Sequence, residues 1–168
     1  MRKTLCKVGL CTVAVVLLSS SSAYAQQTAT AALNVTVNVG SRARLTLGAA
    51  GITFADADPT AVPVMTAGPV TVDVGARTGA ASNVTLTVLA SGNLMSGTDA
   101  IAINTLTWTV AGDPGLVAGT SNATLAQNVG AWVGSGVRSG SQSFSLPNSW
   151  AYVPGTYTAT LNYTLTVP

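Results

Sequence analysis

Asp56 and Asp58 stand two apart in FADADPT, a spacing that could set two carboxylates on one oxygen-ligated calcium. Calcium takes roughly six to eight oxygens, and the spaced acids of an EF-hand loop are missing. Capping of the turn before Pro59 by aspartate side chains is the better account of the pair. Asp73, Asp99 and Asp113 complete the acids, and no motif joins any two of the five into a general acid and base. The rest of the inventory is defined by what is missing. The chain has no histidine or glutamate, and Lys3, Cys6, Lys7 and Cys11 are its only lysines and cysteines. Beyond Cys11 there is nothing from which to build a histidine-based triad, a serine–lysine dyad, a thiol nucleophile or a zinc cluster. A lysine–asparagine isopeptide crosslink is excluded for the same reason. The chain is therefore expected to be no enzyme and to need no cofactor or metal.

Aromatic residues offer the other recognisable chemistry, stacking on sugar rings. Trp108 shares a face with Leu106 and Val110 and reads as core. Trp132 and Trp150 are freer, and Tyr152 follows Trp150 by two in the proline-flanked PNSWAYVPG, so Trp132, Trp150 and Tyr152 are candidate glycan contacts. Asn-x-Thr triplets at Asn34, Asn83, Asn122 and Asn162 match a glycosylation acceptor. In so threonine-rich a chain they are expected by chance, and all but Asn122 fall in expected strands.

The elements that must position these residues begin after an export signal. Arg2, Lys3 and Lys7 precede an apolar run from Val8 to Leu18, and Ala23-Tyr24-Ala25 supplies the small-x-small pattern of a cleavage site. Residues 1–25 are thus expected to be a signal peptide and 26–168 one domain, secreted or held at the cell surface, by way of the periplasm in a Gram-negative cell. Cys11 lies too early in the apolar run to be a lipid anchor, because most of the run would remain on the product. Removing the signal takes three of seven basic residues with it, leaving four arginines against five aspartates, a net charge of −1. No cationic surface large enough to collect nucleic acid or acidic lipid is expected, nor a transmembrane segment in the mature chain. Both cysteines leave as well, so packing or partners must stabilise the domain without disulfides.

From Ala31 onward the chain alternates apolar and polar residues in short segments divided by glycine, proline, serine and asparagine, which is period two and not a helical period. Leu33, Val35, Val37 and Val39 alternate with Asn34, Thr36 and Asn38. Short strands are expected at Arg44 to Leu47 and Ile52 to Phe54, then longer ones through Val70, Val72 and Val74 and through Val84, Leu86 and Val88, joined as a hairpin by GARTGAASN. Ile101 and Ile103 lie on odd positions and Leu106, Trp108 and Val110 on even ones, so a bulge or break is expected near Asn104 and Thr105. Further strands follow at Val129 to Val133 and Ser141 to Leu146. From Thr156 to Val167 the alternation is unbroken, with Tyr157, Ala159, Leu161, Tyr163, Leu165 and Val167 on one side. Eight or nine short strands suit an all-β fold, a two-sheet sandwich with immunoglobulin-like or Greek-key connections, with a barrel as the alternative.

TATAALNVTVNVGSRARLTL resembles the start of mature spore-coat-protein-U-like and related chaperone–usher pilin subunits, and VPGTYTATLNYTLTVP is similar to their closing strand and to the end of WxL-type cell-wall-binding domains. The chain departs from the pilin-like pattern in carrying Leu45 where a cysteine is usual and Phe54-Ala55 where Phe-Gly is usual. The resemblance implies an incomplete sandwich in which residues 26–40 act as a donor strand. Leu33, Val35, Val37 and Val39 would then add to the sheet of a neighbouring subunit, with a periplasmic chaperone and usher as assembly partners. The alternative is that this strand pairs within its own sandwich. The expected function is a non-enzymatic structural subunit of a bacterial surface filament, coat or adhesive layer, self-associating into a polymer. A monomeric secreted module for cell-wall polysaccharide or glycan is the second reading.

Overall fold

The computed structural model describes residues 27–168, so the expected signal peptide lies outside the described residues. The chain divides into a unit ending at Val37 and a body from Asn38 to Pro168. The body is all-β, with several antiparallel sheets, and no helix among the described residues is long and apolar enough to cross a membrane.

Its strands are β1 (Arg42–Leu47), β2 (Val64–Arg77), β3 (Asn83–Ala90), β4 (Leu94–Ser96), β5 (Asp99–Ile101), β6 (Thr107–Gly112), β7 (Gly119–Thr120), β8 (Gln127–Val133), β9 (Gly136–Pro147) and β10 (Leu161–Thr166). One sheet has the order β1-β2-β9-β6-β7 and a second the order β10-β3-β8, while β4 and β5 form a small hairpin. The inner rows of the two larger sheets supply one apolar cluster. Val70, Val72, Val74, Trp108, Phe144 and Leu146 come from the first sheet, and Val84, Leu86, Val88, Val129 and Trp132 from the second. This is the arrangement that period-two patterning demands of a sandwich: each strand gives alternate side chains to a shared interior.

Several expectations change in three dimensions. Residues Val70 to Val74 and Val84 to Val88 do not form a hairpin, because both edges of β2 are already taken, by β1 and by β9, and β3 belongs to the other sheet. The β2 strand also starts earlier than its valines suggest, and its pairing with β9 shifts between Ala67 and Val70, where Pro69 has no N–H to give the ladder. Ile52 and Phe54 pack against the core without joining a sheet. The parity slip near Asn104 is a single 3-10 turn, Ile103–Thr105, that lets Ile103 and Leu106 both face inward. The closing segment keeps its alternation, yet only Leu161–Thr166 pairs as a ladder. Before it the chain makes one isolated bridge, Thr158 to Met95.

Residues 27–40 belong to no helix or strand. Leu33, Val35, Val37 and Val39 are between 63% and 88% exposed.

Candidate functional site

The two large sheets close against each other unevenly. β1 is an end strand of the first sheet and β10 an end strand of the second, each bonded on one side only. The two lie next to one another, and the carbonyl of Pro168, just past β10, accepts from Ser41 Oγ at 3.3 Å and Thr78 Oγ1 at 2.6 Å beside the start of β1 and the end of β2. Two free edges therefore share one flank.

Burial is uneven along this flank. On β3 the inner residues Val84, Leu86, Val88 and Ala90 are fully buried. On β10, the next strand over, Leu161, Tyr163 and Leu165, with Val167 beyond it, are only half-buried although they point the same way. Facing them from the other sheet, Leu45 and Leu47 of β1 are half-buried too, as are Ile52 and Phe54 in the loop that follows. Unpaired N–H and C=O groups on both edges and a half-covered apolar floor are what an added strand would satisfy. Such a strand would need apolar side chains on every second residue. Leu33, Val35, Val37 and Val39 have that spacing and no cover of their own.

The candidate glycan residues are not brought together. Trp132 is buried, and its indole donates from Nε1 to Asp113 Oδ1 at 3.0 Å, so its ring is no stacking surface. Glycines 115 and 130 make its slot, since a side chain on either would overlap the indole. Trp150 is 74% exposed and donates to Thr60 Oγ1 at 3.2 Å, while Tyr152 is half-buried against the core. Trp132 stands just before β9 begins and Trp150 just after it ends, so the length of a twelve-residue strand separates them. Trp108, by contrast, is in the core as its sequence neighbours imply, donating from Nε1 to the carbonyl of Val117.

Among the acids, Asp58 does the work of a turn cap. Its Oδ1 accepts from the Thr60 N–H at 2.7 Å, and its carbonyl accepts from Ala61 and Val62. The described residues hold no cluster of three ligating side chains for a metal. Asp113 is the acid that pattern reading did not single out. Its Oδ1 accepts from the Gly115 N–H at 2.8 Å and from Trp132, and Oδ2 lies 3.4 Å from Arg138 Nη1. The backbone bond from Gly115 foremost, then the indole and the Arg138 charge, hold its carboxyl below the ordinary value of 3.8. A carboxyl lowered on folding adds stability that is present above its unfolded pKa and is lost as pH falls through the folded one. The melting temperature of a chain starting at residue 26 should thus drop on acidification below about pH 4, and Asp113→Asn should melt lower at neutral pH and show a shallower acid limb. Parallel acid limbs in the two proteins would show that this carboxyl is not responsible. The DPG turn was its only sequence signal.

No protein-family model, no curated protein and no solved structure matches the chain.

Proposed function

We propose that this chain is a non-enzymatic structural subunit of a bacterial surface filament, coat or adhesive layer, exported through its N-terminal signal and assembled by β-strand addition. Leu33, Val35, Val37 and Val39 of one copy lie between β1 and β10 of the next, completing an immunoglobulin-like sandwich. The observation that carries this reading is the pairing of an uncovered alternating segment with a flank whose own alternating row is only half covered. The resemblance of both chain ends to pilin-like subunits points the same way.

The energetics favour insertion for a specific reason. Burying a valine- or leucine-sized side chain is worth roughly 1.5–3 kcal/mol, and ordering a residue costs roughly 1–2 kcal/mol. The four donor side chains alone would about balance the ordering of seven residues. The same insertion also covers Leu161, Tyr163, Leu165 and Val167, which are already ordered, so their gain comes without a matching entropic cost. Main-chain bonds to the free edges then add to a balance that is already favourable.

Sizing the exported chain with and without residues 26–40 tests the proposal. The complete chain should form polymers and the shortened one should be monomeric, with its melting temperature raised by a synthetic peptide of residues 31–40. Polymers that persist after the deletion, or a peptide without effect on a folded shortened chain, would remove strand addition. Trp150 on the exposed surface supports the second reading, a monomeric glycan-binding module. Retention of a monomer on cell-wall polysaccharide, lost in Trp150→Ala, would favour it instead.

A further inference from the structure

Strand alternation distributes the few charges of the body in a way the sequence does not advertise. Arg42 begins β1 and is paired across the ladder with Arg77 at the end of β2, while Arg44 is opposite Gly75. All three lie at one end of the sandwich, around an open concavity of about 450 Å³ that Ser135 and the exposed Val137 also line. The Arg44 side chain runs over Gly75, where a Cβ would stand 3.5 Å from its Nε. None of the three forms an ion pair among the described residues, whose single salt bridge joins Arg138 to Asp113. Asp73 is the nearest acid on that face, further along β2, opposite Thr46 and Ser139.

The opposite end is acidic. Asp56 and Asp58 are exposed in the loop before β2, a loop held to the far end of β9 by Asn148 Nδ2, which donates to the carbonyls of Ala57 and Val62. Asp99 lies at the same end, in the β4–β5 hairpin between the end of β3 and the start of β6. No arginine lies there. The body thus carries three arginines outside any ion pair at one end of its strands and three such aspartates at the other.

We infer that the Arg42–Arg44–Arg77 end is a docking surface for the Asp56–Asp58 end of the next copy, and that this contact fixes the inserted strand antiparallel to β10. The inference rests on the strand-addition reading and adds a direction to it. Side-chain parity cannot choose the direction. Residues 33–39 and 161–167 match in length, and apolar residues meet apolar ones whether Val39 stands opposite Leu161 or opposite Val167. Only Gly40 and Ser41 separate Val39 from Arg42, so the donor's arginine end must sit within roughly 10 Å of wherever Val39 enters. That is close to the screening length of about 8 Å at physiological salt. An antiparallel strand puts Val39 at the Leu161 end, beside the acceptor's aspartates. A parallel strand puts it at the Val167 end, where the acceptor's own Arg42 and Arg77 repel it.

Two measurements on the exported chain decide this. The body has no cysteine, so Asn38→Cys with Asn162→Cys reports the antiparallel register as an intermolecular disulfide, and Asn38→Cys with Thr166→Cys reports the parallel one. The first pair should crosslink and the second should not. Reversing the charges of Arg42, Arg44 and Arg77 to glutamate should slow assembly at least tenfold at low salt, with the difference fading near 1 M salt, and adding Asp56→Arg and Asp58→Arg to the same chain should restore it. The peptide of residues 31–40, which carries no arginine, should bind the reversed chain as it binds the original. Crosslinking of the second pair, or assembly indifferent to the reversal, would overturn the inference even if the peptide still bound. So would a reversal that only abolished binding to a sulfated polysaccharide. Failure of the peptide itself would instead remove strand addition.

Discussion

Replacing Trp108 by alanine should destabilise the domain by about 3–5 kcal/mol, the range for deleting a large buried aromatic. Trp108 is 2% exposed, lies across the ladder from Phe144, and has its indole N–H bonded to Val117 at 3.0 Å. Gly119 lies against the ring so closely that a side chain there would overlap it, so the backbone on that side is shaped to the indole and cannot easily collapse into a void. Domains of this size are stable by only about 5–15 kcal/mol, and here no cysteine beyond Cys11 provides a covalent reserve. The substitution should therefore take about a fifth of the total or more. Urea titration of Trp108→Ala beside Trp150→Ala gives an internal control, because the exposed Trp150 makes one side-chain hydrogen bond, to Thr60, and should cost under about 1 kcal/mol. Equal losses in the two variants would mean that the core is not centred where burial places it.

The comparison of Trp108 with Trp132 shows how far alternation can be read. Trp108 has Leu106 and Val110 two residues to either side, so its inward direction follows from parity alone. In β8, Val129 and Trp132 are three apart, and a regular strand would turn one of them outward. Both are buried because the pairing with β3 skips Val129 between Leu86 and Thr87, a bulge that resets the parity and brings Gly130 and Trp132 inward. The glycines at 115 and 130 that make room for the indole are among seventeen in the chain, and nothing in the sequence separates them from the glycines of turns.

Partners were less legible than faces. The alternation of Leu33 to Val39 is as regular as that of Leu161 to Val167, yet one segment is exposed and unpaired and the other is a sheet edge. Period two specifies which side chains share a side, not what covers them. The hairpin expected between Val74 and Val84 failed for a related reason, since local turn chemistry does not reveal that β9, arriving from more than sixty residues away in the chain, has filled the second edge of β2. Charge placement followed from the same topology. Arg44 and Asp56 are close in sequence but lie toward opposite ends of the body, because β1 carries the chain from one end to the other.

Between pH 10 and 12 the domain should lose roughly 2–3 kcal/mol of stability through a single group, Tyr163. The phenol belongs to β10 but reaches across the interior to the first sheet, where its O–H donates to Gln142 Oε1 at 2.7 Å. Burial pushes its pKa from 10.0 up to about 12, with Gln142 pulling modestly in the other direction. Gln142 is fully buried and its Nε2 has no partner, so turning the amide over would present that N–H to a phenolate. The neutral phenol uses the amide oxygen, and burial makes its ionised form costly. A group whose pKa is raised on folding adds stability that is complete below its unfolded value, here 10, and is gone once the pH has passed the folded value. Two units at about 1.4 kcal/mol each give the expected loss. Urea midpoints measured from pH 9 to 12 should fall accordingly, and Tyr163→Phe should remove that step while costing about 1–3 kcal/mol at neutral pH, because Gln142 then has no partner at all. Tyr163 is also one of the four half-covered residues that an inserted strand would bury. In polymers its ionisation, followed by ultraviolet titration, should move to higher pH than in the chain lacking residues 26–40, and identical titrations would mean that nothing covers β10 on assembly.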